Sequence, residues 1–217
     1  HPYTTMIPSL PDVAGGFLDT SIVKEEFSNL LSENIDVRQE RVTEIIPEEE
    51  RIRTEDSEYT YDYLVISSGS KTNFHGFSEN RDKIYTLDSL DSAQKIHKDF
   101  LAYLQEGPET KHLVISGASY TGLELAFGLY FMAKQKNEEL NITMVDILED
   151  ILPFVSQKQR EYIRDQMEKV GITFLPGTTV TSFNGSRVEF DNGESIEESF
   201  FCWAAGVKCA ADNIKED

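Results

Sequence analysis

The run His112–Ala126, HLVISGASYTGLELA, constrains this chain more than any other segment. Leu113, Val114 and Ile115 form a short apolar stretch that meets Gly117, and Gly122 opens a run with helical spacing. An apolar strand, a tight turn and a helix start in that order make the first half of a dinucleotide-binding βαβ unit. The usual G-x-G-x-x-G has become Gly117-Ala118-Ser119-Tyr120-Thr121-Gly122, with serine at the middle glycine.

The chemistry of such a site follows from the backbone. A pyrophosphate needs N–H groups aimed at it and a positive field, and the first turn of a helix supplies both. Gly117 permits the sharp exit from the strand. Gly122 lets the helix pack closely on the sheet, and Ser119 keeps a small residue where the ligand approaches. Downstream, Asn141–Asp146 reads as a second strand ending in an acid. Asp146 there would accept hydrogen bonds from the adenosine ribose hydroxyls and favour NAD over its 2′-phosphorylated relative. The competing reading is a buried turn in an α/β domain with an unrelated acid at a strand end. Strand, helix and acid agree with one another, which favours the nucleotide site.

Charge narrows the partners. Against 39 acidic residues there are 20 Lys and Arg, a net charge of −19, which repels phosphate backbones, so no nucleic-acid partner is expected. No apolar run approaches the length that spans a bilayer, and the N-terminus lacks the pattern of a signal peptide. Cys202 and Cys209 are too few for a disulfide framework or a zinc site. The histidines, His1, His75, His97 and His112, are scattered and form no metal or base constellation, so no metal is expected.

The remaining pattern is α/β. Asp19-Thr20-Ser21 is expected to cap an amphipathic helix carrying Ile22, Val23, Phe27, Leu30 and Leu31. Strand-like runs follow at IDVRQE, RVTEII and RIRT, and a stronger one, YDYLVIS, ends in Ser67-Ser68-Gly69-Ser70. Residues 89–105 have helical spacing, and Glu106-Gly107-Pro108-Glu109 reads as a hinge. Beyond it come βαβαβ, a small β-meander whose turns carry Asn184-Gly185 and Asn192-Gly193, and a returning strand, FFCWA.

In this order the elements resemble the flavoprotein pyridine-nucleotide oxidoreductases with two dinucleotide-binding domains, and among them the type II NADH:quinone oxidoreductases. YDYLVISSGSKTNFHGF resembles the family block YDYLVIATGS-x-x-N-x-F-G, and SYTGLELA resembles P-T-G-V-E-L-A. MVDILEDILPFVS resembles V-E-x-x-x-x-I-L-P, CWAAGVK resembles W-A-A-G-V, and MIPSLPDVAGG resembles P-L-L-P-x-V-A-x-G.

The resemblance implies a Rossmann-like NAD-binding domain, a parallel sheet plus β-meander, inserted in an FAD-binding domain only partly present. It divides the chain into residues 1–106, the C-terminal part of the first FAD-binding segment; 107–208, the NAD-binding domain; and 209–217, the return to the FAD domain. A chain of that extent would lack the FAD pyrophosphate cradle and be inactive alone. The implied activity is hydride transfer from NADH to FAD and then electron transfer to a quinone. The implied setting is the cytoplasm or the cytoplasmic face of a membrane, held peripherally, with a homodimer left open.

The same resemblance assigns residues. Residues 117–122 (Gly117, Ala118, Ser119, Tyr120, Thr121, Gly122) and Asp146 would hold NADH. Glu124 matches an acid near the nicotinamide and is the one candidate catalytic residue. Ala205 and Gly206 match small residues that let nicotinamide stack on the flavin, and Ser68, Gly69 and Ser70 match the FAD-side turn. Two other readings stay open. One is a sulfide:quinone oxidoreductase-like flavoprotein, which uses cysteines instead of NADH; the other is a non-catalytic nucleotide sensor of the same fold.

Overall fold

Leu113, Val114 and Ile115 are fully buried, as a strand covered on both faces requires. They lie at the middle of a parallel sheet in the computed structural model, which describes residues 2–213 and 215–216. The elements around it are β1 (Tyr85–Thr86), α1 (Leu90–Glu106), β2 (Lys111–Ser116), α2 (Tyr120–Gln135), β3 (Leu140–Val145), α3 (Gln157–Val170) and β4 (Ile172–Leu175). After them come β5 (Val180–Phe183), β6 (Val188–Phe190), β7 (Ser195–Ile196) and β8 (Ser199–Trp203). The sheet order is β4-β3-β2-β8-β1, and every neighbouring pair is parallel. The chain steps outward from β2 to β3 and β4, then returns on the other side as β8. The carboxyl ends of β2 and β8 therefore frame the switch point where open α/β sheets bind ligands.

Local sequence explains the helices. Ser89 caps α1 by accepting from the Ser92 N–H, and Ser92 answers with its own side chain. Leu90, Ala93, Ile96, Phe100 and Leu104, spaced by three and four, are its buried residues. Ser156 and Gln159 form the corresponding box on α3, and Gly171 ends that helix in the left-handed region at φ +78°. On one face of the sheet Phe100 meets Phe200 edge-on, with ring centres 5.0 Å apart. On the other face β5, β6 and β7 form the expected antiparallel meander. Phe183 meets Phe201 there, also at 5.0 Å. Each such fully buried side chain contributes roughly 1.5–3 kcal/mol.

By contact density the chain falls into two units. The larger holds Met6–Val23 and Thr72–Gly206; the smaller holds His1–Thr5, Lys24–Lys71 and Val207–Asp217. Residues 72–106 thus go with the parallel sheet, because β1 is one of its strands and α1 covers it. The smaller unit contains a sheet ordered Lys215–Glu216, Val42–Ile46, Arg51–Thr54, Glu58–Thr60. Arg51 and Arg53 both reach Glu58 across it, at 2.8 and 2.7 Å.

Three expectations fail in the N-terminal third. The helix expected over residues 22–31 is broken into Thr20–Val23, a strand Lys24–Glu26, and Phe27–Leu30. The strand pairs with Tyr3–Thr5, so the backbone at 24–26 finds its partners across a ladder instead of along a helix. IDVRQE forms no strand. YDYLVIS forms none either, and Tyr63 and Val65 are 94% and 87% exposed. Among the described residues no strand ladder includes 61–69, so the apolar run lacks the paired neighbour that would make it a strand.

Candidate dinucleotide-binding site

At the end of β2 three strands are tied together. Gly117 N–H donates to the Val145 carbonyl at 2.8 Å, and Ala204 N–H donates to the Ser116 carbonyl at 2.7 Å. Gly117 turns at φ +107°, and a Cβ there would lie 2.5 Å from the Ala204 carbonyl, so both its conformation and its neighbours demand glycine. Ser119 is the N-cap of α2 in extended backbone, with no side-chain capping bond. The first backbone bond returned to it is Leu123 N–H to Ser119 O, at 3.0 Å. The amides of Tyr120, Thr121 and Gly122 therefore have no helical acceptor and face the strand ends with the positive end of the helix dipole. A Cβ on Gly122 would collide with the Gly117 carbonyl oxygen, which explains the glycine as a close-packing residue.

Asp146 holds this turn together. Its Oδ2 accepts from Ala118 N–H at 2.7 Å and its Oδ1 from Leu148 N–H at 2.9 Å. A carboxylate offers about four lone-pair sites, so it retains capacity for ribose hydroxyls while bracing the loop. The structure thus brings together residues 117–122, Asp146 and the 204–206 turn.

That second turn is fixed by a loop that sequence reasoning missed. Gly206 turns at φ +135°, and its carbonyl accepts from Asn73 N–H at 3.0 Å. Trp203 Nε1–H donates to Asn73 O at 3.0 Å, and His75 Nε2 lies 3.0 Å from Ala205 O. Phe74 and Phe77 pack on the Trp203 ring, at 5.3 and 5.4 Å. The only sequence signal was the run TNFHGF, which lies some 130 residues from its partners.

Glu124 projects from the second turn of α2 and is exposed. Partial burial, then the charge of Asp12, raises its carboxyl above the ordinary range. With Phe17, Leu123, Phe127 and Phe131 it lines an open cavity of about 360 Å³. Ser68, Gly69 and Ser70 are exposed and belong to the smaller unit, where Gly69 adopts φ +74° and its carbonyl accepts from Ala210 N–H at 3.0 Å. His97 is a packing histidine, its Nδ1 3.4 Å from the Ala14 carbonyl.

The larger unit fits a nicotinamide dinucleotide: free amides at a helix start, a glycine cradle that a Cβ would fill, and an acid at the next strand end. For a flavin the fit is partial. The smaller unit offers a glycine turn and an apolar cavity of about 580 Å³ lined by Val42, Ile45, Ile52 and Leu64. Among its described residues no α-helix exceeds four residues, so none presents a pyrophosphate cradle. Among the described residues no group of three or more His, Cys, Asp or Glu could hold a metal, and no helix is long and apolar enough to cross a membrane.

A family model described as pyridine nucleotide-disulphide oxidoreductase matches residues 2–217, and the chain belongs to that family. Among curated proteins it is similar to a type II NADH:quinone oxidoreductase of Staphylococcus haemolyticus, 22% identical over 77% of this chain and 46% of the relative. It is also similar to the external alternative NAD(P)H-ubiquinone oxidoreductase B2, mitochondrial, of Arabidopsis thaliana, 22% identical over 94% of this chain and 41% of the relative. Among solved structures, NDH2 from Plasmodium falciparum in complex with NADH superposes with a TM-score of 0.84 at 21% identity. That match covers 97% of this chain and 50% of the other. The sulfide:quinone oxidoreductase of Aquifex aeolicus gives 0.80 at 19% identity, covering 94% of this chain and 50% of that one. These likenesses establish the fold, and the chain spans about half the length of the relatives it matches.

Proposed function

We propose that the chain is the NADH-binding part of a flavoprotein NADH:quinone oxidoreductase. The observation that carries this reading is the cradle formed by Gly117, the free amides of Tyr120–Gly122 and Asp146, at the carboxyl ends of a parallel sheet. NADH held there would be the hydride donor to a flavin with a quinone as final electron acceptor, chemistry that the cofactors rather than the chain would supply. The chain's own residues do the positioning. The α2 amides meet the pyrophosphate, Asp146 receives the adenosine ribose, and the Ala205–Gly206 turn leaves room for the nicotinamide. Ser119 adds a hydroxyl beside the phosphates. Glu124 is assigned the acid near the nicotinamide, and Ser68, Gly69 and Ser70 the FAD-side turn. Within the larger unit, residues 107–206 are assigned the contacts to NADH, and the smaller unit is assigned to the flavin side. Quinone as acceptor is in keeping with the relatives' names; peripheral attachment to the cytoplasmic face of a membrane and a homodimer are assigned as further parts of the same proposal.

The sulfide alternative requires cysteines that exchange electrons. Cys202 is buried in β8, where burial pushes its thiol up and away from the reactive thiolate, and Cys209 is exposed and free; a buried thiol and a lone exposed one make no exchanging pair within this chain, which favours the nucleotide reading.

Titration with NADH, followed by its fluorescence, tests this. Micromolar binding is expected. Asp146→Ala should weaken it by about 10- to 100-fold, the size of one or two lost charge-assisted hydrogen bonds. No binding at millimolar NADH refutes the reading.

A further inference from the structure

His75 adopts a left-handed backbone, a conformation that few residues other than glycine enter. Its φ is +48°, in the left-handed region where the Cβ crowds the following carbonyl oxygen. Two bonds hold it there. Its N–H donates to Asn73 Oδ1 at 3.0 Å, and its Nε2 meets the Ala205 carbonyl at 3.0 Å. A carbonyl only accepts, so Nε2 carries the hydrogen; Nδ1 is then an acceptor, facing Asn73 Nδ2 at 3.4 Å. The imidazole lies against Gly206, where a Cβ would come within 2.9 Å of Nε2. Glycine at 206 therefore does two things: it adopts φ +135°, and it lets the ring reach the carbonyl one residue before it. A phenyl ring would cover Gly206 but donate nothing to Ala205.

We infer that His75 is a positioning residue, which fixes the Ala205 peptide so that the Ala205–Gly206 turn presents a set face to the nicotinamide end of NADH. This rests on the nucleotide reading above. The adenosine end falls to other groups, Asp146 and the start of α2, and the Asp146 carboxylate bonds the Ala118 and Leu148 amides, not His75. Loss of the imidazole donor thus acts on one end of the dinucleotide only.

The experiment compares NADH with ADP-ribose, which keeps the adenosine and pyrophosphate but lacks nicotinamide, on the chain and two variants. His75→Phe keeps a ring without the donor, and should weaken NADH about five- to tenfold, the value of one hydrogen bond, with ADP-ribose unchanged. His75→Gln keeps a donor and should stay within about twofold of the parent for both ligands. Equal loss of both ligands in His75→Phe, or no loss of either, overturns the inference. Should His75→Phe fail to fold, His75→Gln decides alone: retention within twofold supports the inference, and a larger loss of NADH overturns it. If the parent chain binds neither ligand, the nucleotide reading falls and this inference with it. Parent binding of ADP-ribose alone leaves the cradle standing and overturns the role of His75.

Discussion

The same three residues, Leu-Val-Ile, occur twice in this chain with opposite fates. Leu113-Val114-Ile115 is a central strand with no exposed surface. Leu64-Val65-Ile66 belongs to no strand, with Val65 and Ile66 87% and 50% exposed. Each run leads into small residues and a glycine turn, at Gly117 and at Gly69. Intrinsic β-propensity cannot separate them, since the side chains are identical. What differs is company: β2 has β3 and β8 hydrogen-bonded on either side, while among the described residues no strand ladder includes 64–66. A strand is a relation between segments, and the apolar run states only half of it.

Paired substitutions give that difference its largest test. Ile115→Ala should cost about 2–5 kcal/mol, the usual range for a fully buried aliphatic truncated to alanine. Ile66→Ala should cost less than about 0.5 kcal/mol. Urea unfolding of each variant measures both, and comparable losses would mean that 61–69 is a packed strand in solution. A smaller effect separates a glycine required by packing from one required by conformation. Gly122→Ala forces a Cβ into the Gly117 carbonyl and should cost about 1–3 kcal/mol by overpacking, with NADH affinity falling alongside. Gly69 has open space around it but φ +74°, so Gly69→Ala should cost about 1 kcal/mol through conformation alone and leave NADH affinity as it was. A Gly122→Ala chain that bound NADH normally would remove the close helix–sheet contact from the account of the site.

The sequence was most legible where its signals were local and mutually supporting. The Asn-Gly turns of the meander and the helical spacing of residues 89–105 each carry their own physical cause, and those elements form where expected. It was least legible where partners decide. The run at 22–31 has helical spacing, yet 24–26 pairs with the N-terminal strand. Within the site, Asp146 was readable as an acid at a strand end, but its grip on the Ala118 and Leu148 amides was not, because that depends on how the two strand ends meet. His75 was passed over as one scattered histidine; its meaning comes only from the turn at 205–206, which the fold sets against it.

The smallest predicted effect contrasts the two units by the sign of their response to pH. Glu124, in the larger unit, has its carboxyl raised by partial burial and by Asp12. Between the ordinary value of 4.5 and that raised one, the folded chain binds more protons than the unfolded chain. The contribution of Glu124 to stability is therefore present at low pH and lost as pH rises through the raised value. Glu124→Gln should then be more stable than the parent at neutral pH, by about 0.5 kcal/mol or less once solvent screening is allowed for, and equal to it in acid. Glu58, in the smaller unit, is held below its ordinary value by hydrogen bonds from Arg53 and Arg51, so its contribution is present at neutral pH and lost as pH falls. Glu58→Gln should therefore destabilise at neutral pH and converge on the parent in acid. Thermal unfolding of both variants between pH 4 and 8 reads the two signs. Parallel shifts of the same sign would mean that burial and Asp12 do not govern Glu124, and that the cavity beside it is as well solvated as the surface at Glu58.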